Sequence, residues 1–427
     1  MTPVRRINFS RLTQKQAASA AARHEMLYAG RMGGARAVFA FCDLSGLDLS
    51  GRNLSDADFT GALLEEANLA GARLDSASFF GADLRRANLA GASMKRADMR
   101  GCCLRGANLI GADLYEADLR EGTIAEKDRF GNLRVMQHDI GNSELPDALL
   151  SSANLERAKM SGAMAIQADF TDAIMRNCKL TRANLRQAKL TGANLENADL
   201  TGCILAGADL SGCILVGAQM SNAILDGTNM TGALFAQPAK ELNTPFLEML
   251  NAHSRWAETD GAEGAPADFT GVDMRELKSL AHRPLTALIA PGAMLYGLDL
   301  EGASLQGSNF AGADLRATRL AGADLRGANL CGAKLSNANL RDARMGPLLI
   351  SGERLLPARL DGASARYVDF RGADLRRARF SDCDLSYSNL TDAELRDCDL
   401  TGAILSGTRL PPNILEELSG FGVKGVA

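Results

Sequence analysis

Large apolar residues recur at every fifth position along most of the chain, and a small residue, usually alanine, stands two positions before most of them. We call the large position i and the small position i−2. On an α-helix, positions five apart would scatter over every face, and on a straight strand they would alternate between two faces. Positions i−2 and i, however, share one face of a short extended segment. The pattern therefore predicts a short extended side followed by a turn in each pentapeptide.

Glycine often stands two positions after the large residue, as at Gly61, Gly71 and Gly81. Glycine readily adopts the positive φ angles that several tight turns require. A chain that turns in the same sense after every short side must coil, and one face of each side then lines the interior. We therefore expect the i and i−2 side chains, such as Leu195 and Ala193, to form the core.

The pentapeptide pattern falls into blocks, and the segments between the blocks divide the chain. We predict an N-terminal helical cap at 1–36 and a second helical cap or linker at 236–266. The other predicted segments are repeats at 37–124, an insertion with a candidate hairpin at 125–147, repeats at 148–235, repeats at 267–345 that are irregular over 275–292, a loop or degenerate coil at 346–357, repeats at 358–410, and a C-terminal cap or tail at 411–427.

Two segments outside the repeats have helical patterns. The first runs from Thr13 to Ala29, with Thr13 as N-cap and Gly30 as the stop. The second begins near Thr244 and Pro245, which suit the N-cap and the first helical position. Solenoids need such caps because an open end exposes both the core and unpaired strand edges.

One histidine in each helical segment precedes a new start of the repeats, at His24 and at His253. We interpret this as a duplicated start and give both histidines a structural role. The chain would then hold two solenoids, roughly 37–235 and 267–410. One continuous rod with the second helix looped out is the alternative, and the sequence leaves it open.

Three further segments interrupt or follow the repeats. Residues 127–132 have the composition of a hairpin turn between short strands. Residues 346–357 interrupt the last block without losing the period of five, so a projecting loop and a degenerate half-coil fit equally. The tail at 411–427 is compatible with a short cap helix.

Triplets such as Ala107-Asn108-Leu109 and Ala323-Asp324-Leu325 recur in phase. They resemble the A-(D/N)-L-x-x signature of the pentapeptide-repeat family, and the resemblance covers most of the chain. It implies an all-β solenoid, a right-handed quadrilateral β-helix with four pentapeptides in each coil, here with short α-helical caps. It also implies that positions i−1, i+1 and i+2 face outward.

Charge and targeting signals narrow the class of protein. The net charge is −4, so the bulk composition shows no basic footprint for nucleic acid. No apolar stretch approaches the length of a membrane span, and the N-terminus lacks the apolar region of a secretory signal. The nine cysteines show no C-x-x-C spacing, which favours a reducing, cytoplasmic location.

Candidate catalytic residues are few. The four histidines stand beside no recognisable nucleophile, and the chain contains no phosphate-binding loop, dinucleotide fingerprint or nucleophile elbow. The histidines are His24, His138, His253 and His282. We therefore expect no enzyme activity, no cofactor and no small-molecule substrate.

The cysteines and carboxylates are also better explained by the repeat than by chemistry. Seven cysteines replace alanine at i−2, where they should pack as small apolar residues. Only Cys103 and Cys331 fall at outward positions, where a reactive thiol is conceivable. The carboxylates of Asp98 and Asp118 are twenty residues apart and invite a bridging cation, but short acidic side chains at i−1 more often bond nearby backbone in turns.

One basic cluster stands out as a candidate contact patch for a protein partner. Its six members are Arg85, Arg86, Lys95, Arg96, Arg100 and Arg105. A solvated surface is the simpler explanation of the cluster, and a contact patch is the alternative. The block that contains the cluster, residues 37–124, is acidic as a whole, with 13 acidic and nine basic residues. Residues 148–235 carry seven of each.

The sequence therefore favours a binding or scaffolding solenoid that presents flat faces and loops to an unknown protein. The alternative comes from the resemblance: some family members mimic duplex DNA and bind type II topoisomerases such as DNA gyrase. That alternative needs a strongly acidic surface, and only the first block leans that way. We expect neither nucleic acid nor a membrane span, and leave open a homodimer through a solenoid end.

Overall fold

The computed structural model describes residues 9–122, 125–127, 133–135, 144–235, 244–411 and 423. The chain divides into two compact units, residues 1–238 and 239–427. The buried apolar side chains form one core in each unit. Most of the repeat region consists of isolated β-bridges, because a corner interrupts each extended side before a longer strand can form.

The helices of the described residues are α1 (Gln14–Tyr28) and α2 (Thr244–Glu258), and a 3-10 turn covers Arg275–Leu277. The strands are β1 (Ser10–Arg11), β2 (Cys42–Asp43), β3 (Ala125–Lys127), β4 (Leu133–Val135), β5 (Ile214–Leu215), β6 (Leu234–Phe235), β7 (Leu348–Ser351) and β8 (Arg354–Leu356). Strands β1 and β2 pair in parallel, as do β5 and β6. Strands β3 and β4, and likewise β7 and β8, form antiparallel hairpins.

Each coil of the solenoid contains four pentapeptides. Regular bridges join residues that are twenty apart in the sequence. The hydrogen bonds among Ala193, Leu195 and Ile214 are typical of these bridges. The amide of Leu195 donates to the carbonyl of Ile214 at 2.8 Å, and the amide of Ile214 donates to the carbonyl of Ala193 at 2.9 Å. The chain is therefore a pentapeptide β-helix, while the right hand of its coil stays a prediction.

The inward assignment of the i and i−2 side chains is confirmed. Leu195 and Ala193 are both fully buried, and the same holds for nearly all their counterparts. Phenylalanine replaces leucine at three successive rungs of one column. The rings of Phe39 and Phe59 stack with centroids 5.0 Å apart, and those of Phe59 and Phe79 with centroids 4.8 Å apart.

The corners have positive φ whether or not glycine occupies them. Asp56 has a φ of 59° and Asn197 a φ of 54°. A neighbouring carboxylate or amide holds many of these turns: Oδ1 of Asp58 accepts a hydrogen bond from the amide of Thr60 at 3.0 Å. The predicted bonding of short acidic side chains to turn backbone is thus found.

The first insertion interrupts the ladder without ending it. Asp118 bridges Lys159, which is 41 residues further on, instead of a residue twenty further on, so the insertion adds 41 − 20 = 21 residues. The ladder resumes at Glu144, four residues before the predicted start at 148. The predicted short strands are present as the β3–β4 hairpin. Of the predicted turn at 127–132, Lys127 belongs to β3, and residues 128–132 lie outside the described residues.

The second unit departs from regularity in two places. An extra residue enters at the 3-10 turn, because Asp273 bridges a residue 21 further on, whereas Ser279 bridges one twenty further on. The irregularity therefore ends earlier than the predicted 275–292. Asn329 bridges Arg359, thirty residues on, and the ten extra residues contain the β7–β8 hairpin, so the projecting loop is the correct alternative.

Each repeat array begins beside a helix. Thr13 is the N-cap of α1, and its reciprocal bonds with Gln16 form a capping box. Ala17 and Ala21 of α1 belong to the first core, and Leu250 of α2 belongs to the second. The residue predicted as the N-cap of α2, Thr244, is its first residue. The finer segment boundaries, and the choice between two solenoids and one rod, stay predictions.

Candidate functional site

The two cap histidines make the same bond to the first repeat of each array. Nδ1 of His24 accepts a hydrogen bond from the amide of Ala37 at 3.0 Å, and Nδ1 of His253 accepts one from the amide of Ala267 at 3.0 Å. Nε2 of His24 lies 2.8 Å from the carbonyl oxygen of Ser55. Because Nδ1 accepts, Nε2 carries the proton and donates, so this imidazole is neutral. Both histidines are buried, and their hydrogen bonds join each cap helix to the first repeat of its array.

Burial lowers the pKa of His253, whose imidazole packs 5.5 Å from the ring of Trp256. A protonated Nδ1 would lose its role as an acceptor and would place a second N–H against the amide of Ala267. The folded pKa lies below the unfolded value, so the unfolded state takes up the proton first. The second cap is therefore fully stable above about pH 6.5 and weakens as the pH falls through the lower, folded pKa.

We expect hydrogen exchange in α2 and at residues 267–285 to accelerate at pH 5.5 relative to pH 7.5, after correction for the intrinsic rates. The physical cause is protonation of His253, so a His253→Gln variant, whose side-chain oxygen can still accept, should lack the pH dependence. Exchange measured by mass spectrometry on both proteins checks this. An identical pH response in the variant would rule out His253 as the titrating group.

The structure does not give the cysteines the environment of reactive thiols. Cys103 stands at an outward position, as predicted, but the prediction that its thiol is open to reaction is wrong, because neighbouring side chains bury it and burial raises the pKa of its thiol. Cys331 is half-buried, and burial together with a hydrogen bond to Asp361 raises its thiol pKa as well. Reactive cysteines need the opposite shift.

The stacked carboxylates are bound to arginines. Asp98 pairs with Arg100 at 2.7 Å and Asp118 pairs with Arg120 at 2.7 Å. The hydrogen bond from Arg120 helps to lower the pKa of Asp118 against the opposing effect of burial. Within the described ranges, no group of three histidine, cysteine or acidic side chains is placed to hold a metal ion.

Most of the predicted basic contact cluster is engaged in ion pairs within the solenoid. Arg85 pairs with Asp83 and Glu65, Arg86 with Glu65 and Glu66, Lys95 with Asp113, Arg100 with Asp98, and Arg105 with Glu144. Arg96 is exposed and lines a groove. That these six residues contact a protein partner stays a prediction, and the pairs show that much of their charge is already balanced.

These pairs also alter the acidic surface that DNA mimicry requires. The acidic excess of residues 37–124 is interrupted where an aspartate at i−1 and an arginine at i+1 meet, as in Asp83–Arg85 and Asp98–Arg100. Asp314–Arg316 and Asp324–Arg326 repeat this arrangement in the second unit. The described surface therefore alternates in charge at these positions and does not form an unbroken acidic stripe.

A groove of about 690 Å³ lies on the first unit, lined by residues 96–118 from before the insertion and residues 157–179 from after it. Its lining residues include five cations and three carboxylates: Arg96, Arg100, Arg157, Lys159, Lys179, Asp98, Glu116 and Asp118. Two of the arginines are held by aromatic rings. Arg100 lies over Phe80 at 5.1 Å, and Arg157 lies over Tyr115 at 6.0 Å and donates to its hydroxyl at 3.1 Å.

The sequence analysis missed this groove, although a signal was present. Residues 148–235 have equal numbers of acidic and basic residues, but all seven basic residues fall between 157 and 189, where only Asp169 and Asp172 are acidic. A count over a shorter window would have revealed the separation. The convergence on one face still required knowledge that twenty residues make one coil.

The β7–β8 hairpin has two apolar faces. Its inner face carries the paired Leu348 and Leu356, which contact the corner at Gly327. Leu349 and Leu355 pair on its outer side and are 60% and 40% exposed, and the adjacent Ile350 is 51% exposed. A hairpin with one solvated face usually alternates apolar and polar residues, so three exposed aliphatic side chains are unexpected here.

The coil of twenty residues, its leucine core and its acidic turns are matched by one family model. The model for pentapeptide repeats matches residues 42–79, 53–89, 82–121, 143–182, 168–205, 178–215, 203–237, 308–346, 358–382 and 378–411. The chain belongs to the pentapeptide-repeat family. Among curated proteins, no match was found.

Several solved pentapeptide-repeat structures resemble the chain at low identity. HetL, involved in heterocyst differentiation regulation in the cyanobacterium Nostoc sp. strain PCC 7120, is 23% identical over 83% of this chain and 89% of its own, with a TM-score of 0.20. Rfr23 from the cyanobacterium Cyanothece 51142 is 29% identical over 33% of this chain and 88% of its own, with a TM-score of 0.21.

QnrB1, a plasmid-mediated fluoroquinolone resistance protein, is 15% identical over 52% of this chain and 98% of its own, with a TM-score of 0.26. All three TM-scores are low, so these superpositions carry no argument about function. In the part of the chain that the structure describes, no helix has the length and apolar character needed to cross a membrane.

Proposed function

We propose that the chain is a non-catalytic, cytoplasmic scaffold that binds a protein partner through the outer side of the β7–β8 hairpin. The scaffold is a right-handed quadrilateral β-helix, and the hairpin is its contact element. The observation that supports this proposal is the exposure of Leu349, Ile350 and Leu355 on a hairpin whose inner face is anchored to the coil. Clustered exposed aliphatic residues in soluble proteins commonly mark interaction sites.

The anchoring supports a pre-organised contact. Leu348 reaches the corners at Gly307 and Gly327, and Leu356 also reaches Gly327. A side chain at Gly327 would collide with Leu348, so the glycine lets the hairpin lie close against the coil. A contact element held in one orientation loses less conformational entropy on binding than a free loop does.

We expect a Leu349→Ser/Leu355→Ser variant to lose its protein partner. The two leucines pair across the hairpin, and their burial in a complex would supply the apolar contact. The measurement is affinity purification of the tagged full chain from its own cells, with cross-linking and quantitative mass spectrometry. A protein enriched by the wild type should fall at least about tenfold with the variant.

The matched control is Glu353→Ser, which changes an exposed residue of the same hairpin without touching the aliphatic set. It should retain the partner at the wild-type level. Thermal unfolding of all three proteins must show the same midpoint, so that loss of binding is not loss of fold. A partner that is retained equally by both variants would disprove the role of the hairpin.

DNA mimicry directed at a type II topoisomerase is the second candidate from the sequence. No observation on the described surface favours it, because arginines at i+1 neutralise many of the acidic i−1 positions.

A further inference from the structure

The regular ladder places residues at i−1 directly above one another, so like charges can become neighbours on adjacent coils. Four such pairs occur in the described ladders: Asp98 with Asp118, Lys159 with Lys179, Arg359 with Arg379, and Asp374 with Glu394. Adjacent rungs are about 4.8 Å apart, and like charges at that distance destabilise a sheet unless something balances them.

Three of the four pairs are balanced within the solenoid. Arg100 and Arg120 each bind one member of the first acidic pair. Asp361 accepts a hydrogen bond from Arg359 at 3.0 Å and forms an ion pair with Arg379 at 3.4 Å.

The second acidic pair is balanced in the same way. Arg376 binds Asp374 at 2.9 Å and Glu394 at 3.4 Å. The solenoid thus places a counter-charge beside each of these three pairs, twice by having one residue bridge both members.

The pair of Lys159 and Lys179 is the exception. Both side chains are exposed, and neither ammonium has a carboxylate within 4.0 Å among the residues that the structure describes. Their nearest ladder neighbours, Asp118 and Asp199, engage Arg120 and Thr201 respectively. Lys159 and Lys179 therefore line the groove as ladder neighbours without a close ion pair, and the charges of Asp118 and Asp199 act on them only at longer range.

We propose that the Lys159–Lys179 pair is a recognition site for an acidic peptide segment of a partner protein, with one carboxylate bridging both ammonium groups. A carboxylate has two oxygens and can accept from two donors about one rung apart. It would play the part that Asp361 plays between Arg359 and Arg379. This site belongs to the first unit and does not depend on the hairpin of the second.

The walls of the groove favour a peptide over a nucleic acid. Asp98, Glu116 and Asp118 line it beside the lysines, and they would repel an unbroken row of phosphates. A short flexible peptide, even one made only of glutamates, can turn one or two carboxylates toward the lysines and the others away from these acidic residues. Arg157 is already fixed by Tyr115 and lies 3.5 Å from Glu116. Little of its side-chain freedom therefore remains to be lost on binding.

The first test measures binding of fluorescein-labelled hexaglutamate to the full chain by fluorescence anisotropy at 50 mM salt. We expect saturable binding that weakens at 300 mM salt, because exposed charges are screened. A Lys159→Glu/Lys179→Glu variant should weaken binding by about tenfold or more. A Lys159→Gln/Lys179→Gln variant removes the charge without reversing it and should also bind weakly.

The matched control is Lys189→Glu. Lys189 also occupies an exposed i−1 position, but its ladder neighbours are Asp169 and Asp209, so it is not part of a like-charged pair. This variant should bind hexaglutamate within about twofold of the wild type. Equal losses in the control and in the paired variants would show non-specific attraction and overturn the proposal.

Two competitors separate the sources of negative charge. Inorganic phosphate at millimolar concentration should displace hexaglutamate only weakly, since it lacks the peptide. A twelve-residue oligothymidylate that binds more tightly than hexaglutamate, and loses its binding in the paired variants, would reassign the site to nucleic acid and overturn the peptide proposal. Absence of saturable hexaglutamate binding to the wild type would overturn it as well.

Discussion

Replacing Phe59 by alanine is expected to lower the free energy of unfolding of the first unit by about 3–5 kcal/mol. Phe59 is fully buried and is the middle ring of a stack with Phe39 and Phe79. Alanine would remove two ring contacts at once and leave a cavity that the hydrogen-bonded rungs on either side hold open. Thermal unfolding of the full chain, together with hydrogen exchange of residues 39–99, measures the loss and locates it.

The control for Phe59 is Phe59→Leu, which restores the residue most common at this position of the repeat. Leucine fills much of the same volume, so the cost should stay below about 1.5 kcal/mol. If both substitutions cost the same, the loss comes from the ring contacts with Phe39 and Phe79, and the cavity left by alanine adds nothing. If neither lowers stability, position 59 does not line the core.

Replacing Gly264 by alanine is expected to destabilise the second cap by about 2–4 kcal/mol. Gly264 has a φ of 81°, and a methyl group there would overlap the carbonyl oxygen of Ala252 and lie 2.8 Å from the amide nitrogen of Trp256. Both atoms belong to the backbone of α2 and cannot rotate away. The helix must therefore move, and that movement weakens the bond between His253 and the first repeat.

Gly271→Ala separates the steric clash from the cost of the backbone angle. Gly271 also has a positive φ, of 66°, but a methyl group there would meet nothing within 4 Å. Its replacement should cost about 1 kcal/mol, the ordinary penalty for a side chain in this conformation. Calorimetry of both variants, with exchange rates for the amides of α2, tests the difference. Equal costs would mean that α2 does not rest on Gly264.

The sequence was sufficient to predict the core, the corners and the caps. The spacing of positions such as Ala193 and Leu195 required an inward face, and both are fully buried. His24 and His253 were matched by their place before each array, and Nδ1 of each accepts a hydrogen bond from the first repeat. These features depend on local spacing, which a single sequence displays directly.

What the sequence could not show depends on neighbours in the next coil. Ser143 stands where the repeat usually has alanine, so the resumption of the ladder at Glu144 was hidden. The burial of Cys103 at an outward position follows from the residues packed around it in the neighbouring coils and not from its place in the pentapeptide. The stacking of Lys159 on Lys179 requires a coil of twenty residues, a number that the residues alone did not supply.

The insertions of 21 and ten residues both leave the ladder after one side of the coil and rejoin it at the next side. A residue gained within an extended side would rotate every following side chain out of the core, whereas a corner absorbs a segment of any length. Evolution is therefore constrained differently at two kinds of position in this protein. Substitutions at the buried positions of the coil must keep the size of the side chain, whereas new surface segments can be inserted at the corners without any change to the core.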